Sequence, residues 1–314
     1  MLYGREKMNL KIRIGFNPGI RTLYDALELK QFVDIGDKYD YDSIWLSDRV
    51  LGDDPLLEPT IALSLIAAYS TKLKFGTSVL ALPLRNPVIL AKQLATLDYL
   101  SNGRLLPAFG LGQQDPIQYN ACGIDIKTRG NRVNESIRLI RRLWTEERVT
   151  HQGTFFSVEG VCLLPKPCQK PAPAIWIGGR SKAAQRRTGM VGDGWLTSQT
   201  TPNEISAGIK FISSIARSHN RNIDPNHIGT TMGFYISKRP FPDLPPQWST
   251  PQARKDVSPM EYTAIGTVDQ IATKINVFIK AGASKFIVRP LGPSEEGLDQ
   301  LSLFGREIIP IFHK

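Results

Sequence analysis

The sequence predicts an α/β fold, a (β/α)8 TIM barrel with inserted loops, formed by a single domain that spans residues 1–314. Two observations predict it. Short apolar runs alternate with longer segments of helical period along the whole chain, and this alternation can be counted eight times. A plain barrel of this kind needs about 250 residues, so a chain of 314 residues has room for one barrel plus insertions.

The first half of the chain contains four predicted strands, each an apolar run followed by a helix or a loop. Asn86 is predicted to cap the third helix, with Pro87 at its first position, and Ser101-Asn102-Gly103 is predicted to end it. The predicted strands are Lys11–Phe16, Ser43–Leu46, Leu73–Leu80 and Arg104–Phe109, and the helices between them are Leu23–Tyr39, Pro59–Tyr69 and Pro87–Leu100.

The second half repeats the alternation, which favours a closed barrel over an open doubly wound sheet. Gly282 is predicted to end the helix that precedes the last strand. The predicted strands are Ala174–Ile177, Asp193–Leu196, Ile228–Ser237 and Lys285–Val288, and the predicted helices are Arg132–Leu143, Lys182–Val191, Glu204–His219, Val268–Ala281 and Leu298–Ile311.

Two proline-rich stretches are predicted to hold the surplus residues, namely 149–173 and 238–260. Pro165, Pro167, Pro171 and Pro173 lie in the first, and five prolines lie in the second. Long loops that follow barrel strands usually build or cover a site. We therefore expect these two insertions to contribute to the mouth of the barrel.

Composition excludes several classes of protein. Three cysteines at irregular spacing and only four histidines argue against a disulfide framework and against a metal site. The excess of 39 Lys+Arg over 29 Asp+Glu gives a net charge of +10, but the basic residues are dispersed, so no nucleic-acid partner is expected. No apolar run is long enough to span a membrane, and Met1–Asn9 does not resemble a signal peptide. A cytoplasmic protein with a small-molecule ligand is expected.

In a barrel of this class the site lies at the carboxyl ends of the strands. Ser47, Asp48 and Arg49 follow the second strand, where Asp48 either serves the site or caps a turn and pairs with an arginine; the spacing alone supports both equally. The third strand ends in Gly76-Thr-Ser-Val79, where small residues would admit a flat ligand, although an ordinary core strand explains them too. The fourth strand ends in Gly110-Leu-Gly-Gln113, which is a weaker indication of a ligand site.

The strongest signal is Ile177-Gly178-Gly179-Arg180-Ser181, where a strand runs through two glycines into the start of a helix. The glycines permit close approach of an oxyanion, and the free N–H groups and dipole of a helix N-terminus favour negative charge. Arg180 and Ser181 add donors. The segment predicts a phosphate site, with a tight turn capped by serine as the alternative.

The residues absent from the predicted strand ends are equally informative. No histidine, nucleophile elbow, P-loop or paired carboxylate lies there. The predicted site is therefore better suited to a phosphorylated cofactor that brings its own chemistry.

Several motifs in this order resemble the bacterial luciferase-like superfamily, whose members use FMN or coenzyme F-420. The similarity runs from about Ile12 to the C-terminus and weakens between Ile236 and Thr263. The motifs are Asp42-Ser-Ile-Trp-Leu-Ser-Asp48, Gly76-Thr-Ser-Val79, Arg85–Asp98, Leu100-Ser-Asn-Gly-Arg104, Pro173–Ser181 and Gly192-Asp-Gly-Trp195.

The resemblance implies a barrel with the cofactor ring at its mouth. It implies that Asp48 meets the ring or its ribityl chain and that Ser78-Val79 form a backbone bulge behind the ring, often built on a cis peptide bond. It also implies that Leu111-Gly112 touch the ribityl or phosphate region and that Gly178-Gly179 with Ser181 hold the phosphate.

Two departures bear on the activity. Several deazaflavin-dependent dehydrogenases of the superfamily carry His and Glu where this chain has Arg49 and Gln113, and neither residue readily transfers a proton. We therefore expect hydride transfer between coenzyme F-420 and a small organic substrate, as in methylenetetrahydromethanopterin reductase-like proteins, with Arg49, Arg85 and Gln113 orienting substrate or cofactor. The alternatives are an FMN-dependent monooxygenase and a non-catalytic flavin-binding barrel, which an ordered lid over an open cavity would argue against. A homodimer is expected, as is common in the superfamily.

Overall fold

The computed structural model describes residues 10–19, 25–53, 55–241, 243–248 and 254–313. Over these ranges the strands are β1 Arg13–Phe16, β2 Ser43–Leu46, β3 Lys74–Thr77, β4 Leu80–Ala81, β5 Leu105–Leu106, β6 Ala108–Gly110, β7 Val149–Gln152, β8 Ser157–Val161, β9 Trp176–Gly178, β10 Gly194–Ser198, β11 Ile228–Ile236, β12 Ala264–Gly266 and β13 Lys285–Pro290. The α-helices are α1 Ala26–Lys38, α2 Pro59–Tyr69, α3 Pro87–Leu100, α4 Pro116–Ala121, α5 Arg129–Thr145, α6 Lys182–Val191, α7 Pro202–Ser218, α8 Val268–Lys280, α9 Gly297–Glu307 and α10 Ile309–Phe312.

The parallel strands close into a ring, which confirms the predicted TIM barrel. β1 pairs with both β2 and β13, and the ring continues from β13 through β11, β10 and β9 to β6. The third and fourth barrel strands are each broken in two, so β3 pairs with β5 near one end of the barrel and β4 pairs with β6 near the other. Together with the pairing of β2 and β3, these contacts complete the circuit.

Buried side chains fill both the inside of the barrel and the layer between the sheet and the helices. A compact cluster of Trp45, Ala108, Trp176, Leu196 and Ile287 forms one core from residues of five different strands. The two indole rings in it meet edge to face, with their centroids 6.3 Å apart. The larger core joins strands to the apolar faces of the surrounding helices, as expected for a two-layer barrel.

Local signals set the helix ends. The Asn86 side chain accepts hydrogen bonds from the N–H groups of Val88 and Ile89, so the predicted cap of α3 is confirmed. Asn102 and Gly103 after this helix have φ values of 55° and 80°, the left-handed conformation predicted for the turn. The predicted helix Leu23–Tyr39 begins at Ala26 in the described residues, and its first residues lie outside them.

The last predicted helix, Leu298–Ile311, is wrong in one respect. It is divided into α9, which ends at Glu307, and α10, which begins at Ile309. Pro310 explains the break, because proline lacks the N–H that a continuous helix needs and its ring crowds the preceding turn.

The first insertion, 149–173, does not lie at the mouth. It connects α5 to β9, so it sits at the end of the barrel where the strands begin, and none of its residues lines the cavity described below. It also contains regular structure that the sequence analysis missed, the antiparallel hairpin of β7 and β8. The expectation that this insertion contributes to the mouth is therefore wrong. A segment that connects a helix to the next strand lies at the end of the barrel opposite the carboxyl ends of the strands.

The second insertion, 238–260, follows β11 and does lie at the mouth. Trp248 packs on Tyr235 and Phe241, with ring centroids 4.6 Å and 5.5 Å away, and Leu244 and Trp248 both line the cavity. Arg254, which is 5% exposed, donates to carboxylate oxygens of Glu204 and Asp256. The described part of this segment is thus held over the site by an aromatic cluster and by an ion-pair cluster. Residues 242 and 249–253 lie outside the described ranges.

A buried ion cluster lies at the opposite end of the barrel. The ammonium of Lys285, whose side chain is 1% exposed, pairs with Asp42, which also receives Lys74 at 3.2 Å. Burial lowers the pKa of Lys285 to about 8, against the opposing effect of Asp42. Although burial raises the pKa of Asp42, Lys285 and Lys74 hold it well below its usual range. This cluster is part of the architecture rather than of the mouth.

Candidate functional site

A cavity of about 500 Å³ opens at the carboxyl ends of the barrel strands. Its volume lies in the range of about 300–1,000 Å³ that is usual for small-molecule sites. The cavity brings together all but one of the predicted catalytic and cofactor-binding residues, namely Asp48, Arg49, Ser78, Val79, Leu111, Gly112, Gln113, Gly178, Gly179 and Ser181.

Arg180 is the predicted residue that lies outside this lining. Its side chain is exposed and donates to the side-chain oxygen of Gln199 at 3.4 Å, and its carbonyl accepts from Gln185. Its part in holding a phosphate therefore stays a prediction.

Asp48 is placed at the mouth by the end of β2, but its carboxylate is already occupied. It accepts hydrogen bonds from the backbone N–H of Ala81 at 2.8 Å and from two nitrogens of Arg85 at 2.6 Å and 2.9 Å. Only 1% of the Asp48 side chain is exposed. Arg85 also donates to Glu58 at 3.1 Å. The pairing of Asp48 with an arginine, one of the two alternatives from the sequence, is what the structure shows.

Arg85 is therefore not available to orient a ligand as expected. It does not line the cavity, and its two carboxylate partners raise its pKa against the effect of burial. The pKa of Glu58 is lowered, because its hydrogen bonds from Thr60, Ile61 and Arg85 outweigh the effect of burial. The three charged side chains link the end of β2 to β4 and to the start of α2, so they support the wall of the cavity.

The peptide bond between Ser78 and Val79 is cis, as the resemblance implied. The side chain of Val79 lies against Gly110 of β6 and Gly178 of β9, and it leaves no space for a larger residue at either position. A Cβ added to Gly110 would lie 2.5 Å from a methyl of Val79, and one added to Gly178 would lie 2.6 Å from its other methyl. The result is a smooth apolar wall with backbone on both sides.

The start of α6 forms a second part of the lining. Ser181 caps the helix by accepting a hydrogen bond from the N–H of Ala184. Gly179 precedes it with φ of +117°, a conformation that glycine adopts without strain. The first N–H groups of a helix have no acceptor within it, so this end of the cavity favours an anion.

Charged side chains make the cavity positive. Arg49, Arg187 and Arg289 line it, and Asp48, the acidic residue of the described lining, is neutralised by Arg85. No group of three or more His, Cys, Asp or Glu side chains among the described residues is arranged to hold a metal ion. The arrangement therefore favours a negatively charged organic ligand.

Sequence reasoning missed several polar residues of the lining, and three of them, Arg187, Tyr262 and Arg289, bear most directly on its chemistry. The hydroxyl of Tyr262 is buried and has no hydrogen-bond partner among the described residues. Arg187 lies inside α6, six residues beyond the cap, so only the helical period could have placed it on the inward face. Tyr262 follows the second insertion, where no pattern indicated a site. Arg289 is the penultimate residue of β13 and directly follows the predicted strand Lys285–Val288, so its place at a strand end was a signal available in the sequence.

These features together fit a flat ring with a phosphorylated side chain. The wall at Val79 leaves room for a ring against backbone, and the start of α6 with Arg187 suits an anionic tail. A buried hydroxyl without a partner is costly, and a ligand in the cavity would give that of Tyr262 one. The residues present therefore match the type of cofactor that the sequence implied.

Residues 14–240 match the family model described as luciferase-like monooxygenase. An F-420-dependent glucose-6-phosphate dehydrogenase of Kineococcus radiotolerans is 31% identical over 179 residues, 54% of this chain and 51% of that enzyme. The chain thus spans about half the length of the curated relatives that it matches first.

Two solved structures share the fold over nearly the whole chain. One is the coenzyme F-420-dependent tetrahydromethanopterin reductase of Methanopyrus kandleri, with a TM-score of 0.78, 16% identity and coverage of 96% of this chain and 99% of that one. The other is the oxygenating component of 3,6-diketocamphane monooxygenase of Pseudomonas putida in complex with FMN, with a TM-score of 0.77, 16% identity and coverage of 95% and 98%. At these identities the likeness concerns the fold alone.

No helix in the described part of the chain is both long and apolar enough to cross a membrane.

Proposed function

The chain belongs to the luciferase-like monooxygenase family, and from that premise we propose that it is an oxidoreductase that transfers a hydride between coenzyme F-420 and a small organic substrate. The observation that carries the proposal is the lining of the cavity. It offers a ring-sized wall and cationic donors, but no histidine within the described residues, and its carboxylate is bound to Arg85. Such a lining binds and positions; the cofactor, when bound, supplies the hydride donor or acceptor.

The side chains of the cavity divide this task. Val79, between Gly110 and Gly178, supports one face of the ring, and the start of α6 holds the phosphate. Arg49 and Gln113 remain at the mouth, where they orient the substrate. The buried hydroxyl of Tyr262 is free to donate a hydrogen bond to a substrate oxygen or nitrogen. Leu244 and Trp248 of the second insertion help to exclude water.

The relatives support the cofactor more than the substrate. The dehydrogenase from Kineococcus radiotolerans and the reductase from Methanopyrus kandleri both carry F-420 dependence in their names. Arg49 and Gln113 stand where several deazaflavin-dependent dehydrogenases have His and Glu, so oxidation of an alcohol through that pair is not what we propose. Reduction of an imine or an enone needs only one proton donor beside the hydride, and we propose Tyr262 as that donor because its hydroxyl is buried in the lining without a partner among the described residues.

Binding and turnover test the proposal. Purified protein is titrated with F-420 and, separately, with FMN. Reduced F-420 is then mixed with the protein and a panel of imines and enones, and the return of the long-wavelength absorbance of oxidised F-420 is followed. We expect tight F-420 binding and a change in absorbance that depends on both the protein and the substrate. Replacing Gly178 by alanine should weaken binding, because its Cβ would displace Val79 from the ring wall, whereas replacing exposed Arg186 by glutamine should not. Tight FMN binding without F-420 binding would overturn the deazaflavin assignment.

A second candidate is an FMN-dependent monooxygenase. The same wall and phosphate end would accept FMN, and the solved structure of the diketocamphane monooxygenase holds FMN in the same fold. Oxygen uptake with enzymatically reduced FMN and a panel of ketones and alkanes tests it. Cofactor binding without turnover in either assay would instead favour the non-catalytic flavin-binding barrel, although the lid over an open cavity argues for an enzyme.

We also propose a homodimer. Helix α2 has no charged residue, and Ile61 on it and Ile89 on the adjoining α3 are 69% and 61% exposed. Apolar side chains exposed on neighbouring helices are typical of an interaction surface. Sedimentation equilibrium should give twice the chain mass of 35.0 kDa. A monomer at micromolar concentration would contradict the proposal.

A further inference from the structure

Arg187 is a buried cation at the end of the cavity where α6 begins. It is 8% exposed and lies in the second turn of α6, on the face that lines the cavity. Its Nε donates to the side-chain oxygen of Asn134 at 2.7 Å, and its Nη2 donates to the carbonyl of Gly130 at 3.3 Å. These contacts fix the guanidinium against the start of α5.

No carboxylate among the described residues compensates this charge. The neighbouring arginines 141, 142 and 221 each form an ion pair with a carboxylate. The two hydrogen-bond partners of Arg187 are instead neutral oxygens. Its Nη1 has no hydrogen-bond partner in the described part of the chain. The protein does not fully enclose this nitrogen, so it can meet a ligand. Burial lowers the pKa of Arg187. A buried cation without a counter-charge is costly, which indicates that an anion completes the site.

The topology places this cation at one end of the cavity. Ser181 and Arg187 follow β9, which stands opposite β1 in the ring of eight strands, whereas Arg49 and Arg289 belong to the strands on either side of β1. The positive charge is therefore divided between two opposite sides. Arg187 and the start of α6 lie on one side of the cavity, and Arg49 and Arg289 lie on the other.

We propose that Arg187 is the anion-binding residue that makes this cavity select phosphorylated over unphosphorylated flavin or deazaflavin ligands. The oxyanion lies between the N-terminus of α6 and the free nitrogen of Arg187, whose guanidinium Asn134 and Gly130 hold in place. The ligand class rests on the proposed function, but the selectivity can be measured without any turnover.

Two pairs of ligands isolate the phosphate contribution. FMN and riboflavin differ by the phosphate alone, and F-420 is compared with its riboflavin-like precursor that lacks the phosphate and the acidic tail. Dissociation constants for all four are measured by fluorescence with the wild-type chain, with Arg187→Met and with Arg187→Lys. The matched control is Arg186→Gln, which removes a positive charge one residue away on the exposed side of the same helix.

In Arg187→Met we expect the preference for the phosphorylated member of each pair to fall by about 10- to 100-fold, the loss of a charge-assisted hydrogen bond. Affinity for riboflavin should stay within about twofold, which also shows that the variant is folded. Arg187→Lys should recover part of the preference, because it restores the charge without the planar fork. The control should match the wild type.

Three results would overturn the proposal. They are an unchanged ratio in Arg187→Met, an equal loss of affinity for both members of a pair, which would mean a merely structural role, and a wild-type chain that does not prefer the phosphorylated ligands. Failure of the proposed hydride transfer is separate, because a chain that binds FMN through Arg187 but turns over no substrate leaves this assignment intact.

Discussion

Replacing Asp48 by asparagine should destabilise the protein strongly, because its carboxylate is the buried half of an ion pair. The carboxylate accepts three hydrogen bonds within 2.9 Å, from Arg85 and from the N–H of Ala81, and the side chain is 1% exposed. Removing one partner of a buried pair costs about 3–5 kcal/mol, since the other charge stays buried. Glu58 remains bound to Arg85, whose side chain is 15% exposed, so we expect the lower end, about 3 kcal/mol.

Urea unfolding followed by tryptophan fluorescence measures this loss as a lower midpoint at unchanged slope. The matched control is Asp34→Asn, which breaks the exposed pair of Lys30 and Asp34, with side chains 49% and 57% exposed. That pair is worth about 0.3–0.5 kcal/mol. Replacing both Asp48 and Arg85 by leucine and methionine should recover much of the stability, because no buried charge is then left without its partner and the Glu58 carboxylate, which also loses Arg85, is 41% exposed to water.

A loss below about 1 kcal/mol for Asp48→Asn would refute this reasoning, as would a double variant less stable than the single one. The ligands give a second check. If Asp48 acts through the wall of the cavity rather than on the phosphate, Asp48→Asn should weaken riboflavin and FMN binding by the same factor. A selective loss of FMN binding would assign Asp48 a different role.

Three further predictions follow from other contacts. Gly178→Ala places a Cβ about 2.6 Å from Val79 and should cost about 1–3 kcal/mol in urea unfolding, and adding Val79→Ala should recover most of that loss; additive effects of the two changes would contradict the packing. The pKa of Asp42 is held below its unfolded value of about 3.9, so its contribution to stability is present above about pH 4 and is lost as the pH falls; the melting temperature of Asp42→Asn should be lower than that of the wild type near neutrality and should depend less on pH below 4, and parallel acid profiles would refute this. Tyr262→Phe removes a buried hydroxyl that has no partner in the described structure, so the ligand-free protein should keep its stability or gain up to about 1 kcal/mol in urea unfolding, while turnover falls; a clear destabilisation would show that the hydroxyl already has a partner.

Much of the fold could be predicted because its signals are local. The cap at Asn86 and the left-handed turn at Asn102-Gly103 depend on a few neighbouring residues, and both are confirmed. The alternation of strands and helices implied the barrel, and the barrel rule then placed the strand ends at the mouth. For that reason residues such as Gly112 and Ser181 could be assigned to one cavity from the sequence.

What the sequence by itself determined is therefore the order of elements, their caps and the glycine-rich strand ends, since each depends on backbone preferences within a few residues. Only the tertiary structure decided that Asp48 is bound to Arg85, 37 positions away, that Arg187 is buried without a counter-charge, and that the hairpin of residues 149–161 lies away from the mouth. Pairing, burial and the side of the barrel on which a loop lies depend on contacts between residues distant in sequence. No local pattern encodes those contacts, because they arise only when the ring of strands closes.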